Sequence, residues 1–183
     1  MDKKVKTVAF DLGGVLAYQD LSVLTEEELM LLETYMNRNK GVDRELLEYS
    51  KSKIQEIYLK IHKLNSEAIS TLDILKQEKI KTSICTNNIK EIDAWFEEIG
   101  LYRYIKREDI INSIYLGVDK PDINFYRNAL ILLKNKADDI LFFDDNHENI
   151  LGARKCGINS KEYDMKDSLE KSVEEEIRKG IFK

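Results

Sequence analysis

Apolar residues in this chain recur with two periods, and the period changes with position. Val5 to Phe10 is a short apolar run rich in β-branched residues, closed by Asp11 and followed by Gly13 and Gly14. Its length suits a buried parallel strand rather than a helix. After Leu16 the period becomes helical. Thr25-Glu26-Glu27-Glu28 reads as a capped helix start, with acids placed well against the helix dipole. Leu29, Leu32 and Met36 continue that helix, and the stretch from Asn37 to Gly41 ends it. Asp43 is positioned to cap a second helix carrying Ile54, Ile57, Tyr58 and Ile61. Nothing between residues 17 and 64 alternates like a strand.

From Ser66, read as a helix cap, strand and helix alternate. A helix bearing Ile69, Leu72, Ile74 and Leu75 precedes a strand over Ile80–Cys85, which runs into Thr86-Asn87-Asn88. Ile89, Ile92, Trp95, Phe96 and Ile99 share one helical face, a stripe read as core. A weaker strand over Asp109–Ser113 leads into a loop holding the only proline, Pro121. A helix with Phe125, Tyr126, Ala129, Leu130 and Leu133 inward follows. The second strong apolar run, Ile140 to Phe143, is closed by Asp144 and Asp145. A helix over Asn146–Cys156, a short strand at Glu162-Tyr163 and a charged helix over Lys166–Lys179 complete the chain. This alternation predicts an α/β fold, a doubly wound, Rossmann-like parallel sheet. A small all-helical segment is inserted after the first strand. The expected division is a core of residues 1–16 and 65–183 and a helical insert of 17–64.

Composition narrows the function classes. With 183 residues and 43% hydrophobic content the chain can bury a core. A formal net charge of −5 gives no basic excess for a nucleic-acid backbone. No signal pattern and no run of membrane-spanning length are present, so a soluble, cytoplasmic protein without a membrane partner is expected. Cys85 and Cys156 form no CxxC and read as reduced cysteines. His62 and His147 are too few for a histidine-rich site, so any metal should be a hard ion held by oxygen.

Four loops carry candidate chemistry: Asp11, Thr86, Lys120, and the pair Asp144 and Asp145. Individually each has an ordinary reading as a strand end, a cap or a solvated charge. Together they supply what phosphoryl transfer needs: a carboxylate nucleophile, a hydroxyl and backbone amides for phosphate oxygens, a fixed cation, and hard ligands for magnesium. Gly13 and Gly14 can expose amides to an anion. Parallel topology can bring all four loops to one edge of the sheet.

The stretches FDLGGVL, ICTNN, GVDKPDINFYRNAL and LFFDDNHENILGARKCGI, in this order from Val5 to about Ile158, resemble the haloacid dehalogenase-like hydrolase superfamily, most of whose members are magnesium-dependent phosphatases. The resemblance implies Asp11 as nucleophile and Thr86 as phosphate-binding hydroxyl, assisted by amides near Asn87. It implies Lys120 as the residue steadying nucleophile and phosphate. Asp144 and Asp145 match the acidic Mg2+ motif, Asp145 binding directly and Asp144 through water, with the Gly13 carbonyl and Asp11 completing the site. The helical insert resembles the family's substrate-selecting cap, and a small phosphorylated metabolite such as a sugar phosphate is the implied substrate. Whether the protein is a monomer or a dimer is not encoded in any motif.

One position departs from the family pattern. A second aspartate two residues after the nucleophile usually protonates the leaving group, and here that position is Gly13. Acid–base help is worth about 10²–10⁴-fold, or roughly 3–5 kcal/mol. Two expectations follow: a phosphatase that is slow or uses a substitute acid, with Asp20 a candidate, or a non-catalytic phosphate-sensing or partner-binding relative.

Overall fold

The computed structural model describes residues 5–37 and 44–179. Asp43 and residues 38–41, expected to cap one helix and end another, lie outside the described residues. Every residue of β1 (Thr7–Phe10) is buried, as a strand flanked on both edges and both faces must be. It pairs in parallel with β4 (Lys81–Thr86) and β6 (Ile140–Asp144). β5 (Ile110–Asn112) adds to β4, and β7 (Asn159–Glu162) to β6. The sheet order is β5-β4-β1-β6-β7, parallel throughout.

Helices cover both faces. On one, Ala9, Cys85, Ile111 and Phe142 meet Phe125, Tyr126, Ala129 and Leu133 of α6 (Ile123–Leu133) and Ile150 and Ala153 of α7 (His147–Lys155). The period of two sends Phe10 and Phe143 to the other face, where their rings stack with centroids 5.5 Å apart. There α3 (Ala68–Gln77) packs on β4 and on α8 (Leu169–Arg178). This is the doubly wound α/β arrangement that the alternating pattern predicts.

Contacts divide the chain into two compact units. One comprises Met1–Tyr18, Leu64–Ile89 and Tyr102–Lys183, and contains the five-stranded sheet. The other comprises Gln19–Lys63 and Lys90–Leu101, and holds α1 (Glu26–Asn37), α2 (Arg44–Ile61) and α4 (Ile92–Glu98). The capped start is present: Thr25 Oγ1 accepts from Glu28 N–H, and Glu28 Oε2 accepts from Thr25 N–H and Lys60 Nζ. These hydrogen bonds hold the Glu28 carboxyl at about 2, well below the usual range. His62 is buried between Tyr58 and Trp95, with centroids 4.7 and 5.4 Å away. Burial lowers its pKa, and its Nδ1 lies 2.9 Å from the Tyr58 carbonyl.

Three details differ from the expectations drawn from sequence. Residues 17–64 are not purely helical: β2 (Ala17–Gln19) and β3 (His62–Leu64) form a two-stranded sheet. Three residues are too few to show a period of two. The Trp95 and Phe96 stripe on α4 groups with the helical unit, because periodicity reveals a buried face but not its neighbour. Ser66 does not cap α3; Glu67 occupies that position, and the preceding turn is made by Asn65, whose Oδ1 accepts from Glu67 N–H.

Candidate active site

The strand register sets the site. Phe10 is level with Phe143 and Ile84, so Asp11 leaves β1 at the edge where Asp144 ends β6 and Thr86 ends β4. Asp11 N–H donates to the Phe143 carbonyl at 2.7 Å, tying the residue to its neighbouring strand. The chain then turns sharply, with Ala17 N–H bonded to the Leu12 carbonyl and Gly14 N–H to that of Ala17. Gly14 has φ +73°, and a Cβ there would run into the Asp145 carboxylate. Only glycine fits. Gly13 is exposed, and a Cβ there would meet nothing within 4 Å.

Lys120 reaches the same edge from the loop between α5 (Ser113–Leu116) and α6. Its side chain is buried, and Nζ lies 2.9 Å from Asp11 Oδ1 and 2.7 Å from Asp144 Oδ2. Burial alone would lower its pKa; Asp11 and Asp144 more than offset this and hold the ammonium charged. Asp144 is fully buried. Its carboxylate also accepts from Asn149 Nδ2, at 3.0 and 3.1 Å, and from Asn146 N–H at 2.9 Å. Asp11 Oδ1 accepts from Leu12 N–H at 2.7 Å as well as from Lys120. Burial pushes the Asp11 carboxyl up, Lys120 pulls it down and Asp144 pushes it up again, to about 6. Asp145, more exposed, is raised by burial and then by Asp144.

Carboxylate oxygens of Asp11, Asp144 and Asp145 lie within 4.8 Å of one another, and among the described residues they are the one such group of potential metal ligands. Three carboxylates face one ammonium. Their oxygens are hard donors, and the excess negative charge suits a divalent cation such as magnesium.

Of the residues singled out from the sequence, Asp11, Lys120, Asp144 and Asp145 meet directly. Gly14 closes on Asp145, and the Asn87 carboxamide bonds to the backbone of Lys120. Thr86 is buried at the end of the strand beside β1. Asp20 is engaged locally. Its Oδ1 accepts from Ser22 N–H and Oγ, capping the 3-10 turn over Leu21–Val23. Sequence reasoning gave no part to Asn149. It stands in the first turn of α7 beside the buried Ile150, and Tyr126 Oη donates to its carbonyl at 2.7 Å. Its signal was a lone amide on the inward face of an amphipathic helix.

Comparison with known proteins gives concordant results. The family model described as "haloacid dehalogenase-like hydrolase" matches residues 24–157. A predicted HAD-like family hydrolase from Porphyromonas gingivalis superposes with a TM-score of 0.71 at 17% identity, over 95% of this chain and 98% of that one. A HAD-superfamily hydrolase from Ehrlichia chaffeensis gives 0.67 at 19% identity, over 96% and 97%. A HAD family enzyme from Bacteroides thetaiotaomicron, an aspartate-to-alanine variant in complex with magnesium and inorganic phosphate, gives 0.66 at 15% identity, over 90% and 96%. At these identities the likeness is one of fold. Drimenol cyclase drtB from Aspergillus calidoustus is 32% identical over 66 residues, which are 36% of this chain; the chain spans 12% of that curated relative's length.

Proposed function

Because the chain belongs to the haloacid dehalogenase-like hydrolases, we propose that it is a phosphatase of small phosphate monoesters, sugar phosphates among them, with magnesium as its resident ion. The observation that carries this reading is the buried Lys120 ammonium held between Asp11 and Asp144, beside Asp145, at the carboxyl edge of a parallel sheet. Asp11, Asp145 and the Gly13 carbonyl would hold the ion directly. Asp144, its oxygens already engaged by Lys120, Asn149 and Asn146, would reach it through water. Bound magnesium would neutralise phosphate charge. The fold neighbour that carries magnesium and inorganic phosphate supports the choice.

Asp11 would be the nucleophile. Leu12 N–H and Lys120 both hold Oδ1, and Oδ2 would be the oxygen that attacks phosphorus. Attack by that oxygen forms the aspartyl-phosphate and breaks the bond to the leaving oxygen. With glycine at position 13 the leaving oxyanion takes its proton from solvent. Water then cleaves the acyl-phosphate, releasing phosphate and restoring the carboxylate. Thr86 and the amides near Asn87 would bind the phosphate oxygens, and Lys120 supplies fixed positive charge. The second unit would act as a helical cap that selects the substrate. Glycine at position 13, where the family usually has its second aspartate, favours one competing reading, a non-catalytic phosphate-binding relative.

A panel of phosphate monoesters assayed with and without magnesium separates the two. Magnesium-dependent phosphate release that disappears in Asp11→Asn is expected. Release that survives this substitution would remove Asp11 from its role, and no release from any ester would leave the binding module.

A further inference from the structure

The Asn87 side chain is exposed, yet both ends of its carboxamide are committed to one residue. Its Nδ2 donates to the Lys120 carbonyl at 2.9 Å, and its Oδ1 accepts from Lys120 N–H at 2.8 Å. A side chain here satisfies a backbone as a neighbouring strand would, 33 positions away in sequence. The two residues belong to different loops, one leaving β4 directly after Thr86, the other between α5 and α6. The Lys120 ammonium sits at the end of a flexible four-carbon stem. Where it arrives depends on where its own backbone is held.

We propose that Asn87 is the positioning residue of Lys120: its carboxamide fixes the lysine backbone so that the ammonium enters the gap between Asp11 and Asp144. This rests on the phosphatase reading for its catalytic consequence, but not for the placement itself. Lys120 N–H and C=O have Asn87 as their bonded partner, while Lys120 Nζ has the two carboxylates. The loop that begins at Asn87 is thereby tied to the loop that delivers the cation. A shift of one carries the other with it.

The test uses the full chain and the variants Asn87→Ala, Lys120→Ala and the double substitution. Because Asn87 is exposed, its truncation removes no core packing, and thermal melting checks that all variants fold. The first readout needs no activity: labelling of Lys120 by a water-soluble amine reagent, followed by peptide mass mapping. In the parent protein Lys120 is buried and ion-paired, and labels slowly. In Asn87→Ala its labelling is expected to accelerate severalfold while that of other lysines is unchanged. Unchanged labelling of Lys120 overturns the proposal.

The second readout is kcat on an aryl phosphate with saturating magnesium. Asn87→Ala is expected to lower kcat by about tenfold, a modest displacement of a catalytic group. The same substitution in the Lys120→Ala background is expected to have no further effect, because its action runs through the lysine. Additive losses would mean that Asn87 acts by another route, and would overturn the proposal. Faster labelling in a protein that hydrolyses nothing would uphold the positioning and fail the phosphatase reading instead.

Discussion

A Cβ at Gly13 meets nothing within 4 Å, whereas one at the adjacent Gly14 runs into Asp145. In sequence the two glycines are indistinguishable; in space one is required and the other is vacant. Without a proton donor at position 13, the rate should depend on how well the leaving oxygen bears negative charge. The parent protein should therefore cleave aryl phosphates much faster than alkyl phosphates. Gly13→Asp adds a Cβ that meets nothing within 4 Å. It should raise turnover of alkyl phosphates by up to about 10²–10⁴-fold, with a smaller gain on aryl esters. Steady-state rates on both ester classes check this, and equal rates in the parent would mean that another group donates the proton. Asp11, Lys120, Asp144 and Asp145 were legible in sequence because their residue types and order are distinctive. Asn149 was not, since a lone amide on a helix's inward face does not reveal its partner, Asp144, until its hydrogen bonds are traced.

At the scale of elements, α7 is the piece on which the site leans. Asn146 caps it by accepting from Glu148 N–H, and its first turn supplies Asn149 to Asp144. Gly152 lets the helix approach the loop that carries Lys120. A Cβ there would lie 2.6 Å from the Pro121 carbonyl oxygen and 2.8 Å from the Tyr126 ring. Neither neighbour can yield easily, one being backbone and the other a buried ring. Gly152→Ala should cost about 1–3 kcal/mol by overpacking. In urea its midpoint should fall with the slope unchanged. Its kcat should fall too, because the displaced loop carries the ammonium. The helix itself could be read from its apolar spacing, and the strands before it from their buried runs. The short strands β2 and β3 could not, since pairing segments as far apart as Ala17–Gln19 and His62–Leu64 leave no local signature.

For the molecule as a whole, three carboxylates around one ammonium make function and stability oppose each other. The Asp11 carboxyl stands at about 6 when folded, against 3.8 for the ordinary group. The folded protein thus holds a proton that the unfolded chain has released between these values. The Asp11 contribution to metal-free stability should therefore fall as pH rises from about 4 to about 6, and stay low above that. Magnesium requires the deprotonated carboxylate. It should raise the melting temperature clearly at pH 7.5 and little at pH 5, through preferential binding to the folded state. Asp145→Asn should abolish the shift. Differential scanning fluorimetry at both pH values checks this; equal shifts would contradict the assignment of Asp11 as a ligand.

The helical unit is not one continuous stretch of chain. Residues 90–101 group with 19–63 although the chain passes through 64–89 between them. Anyone recombining this protein with a homologue inherits that interruption. A chimaera that exchanges only the first segment leaves the Trp95 indole behind and strips His62 of one of its two aromatic neighbours. The smallest transplantable cassette is discontinuous, with four splice junctions rather than two.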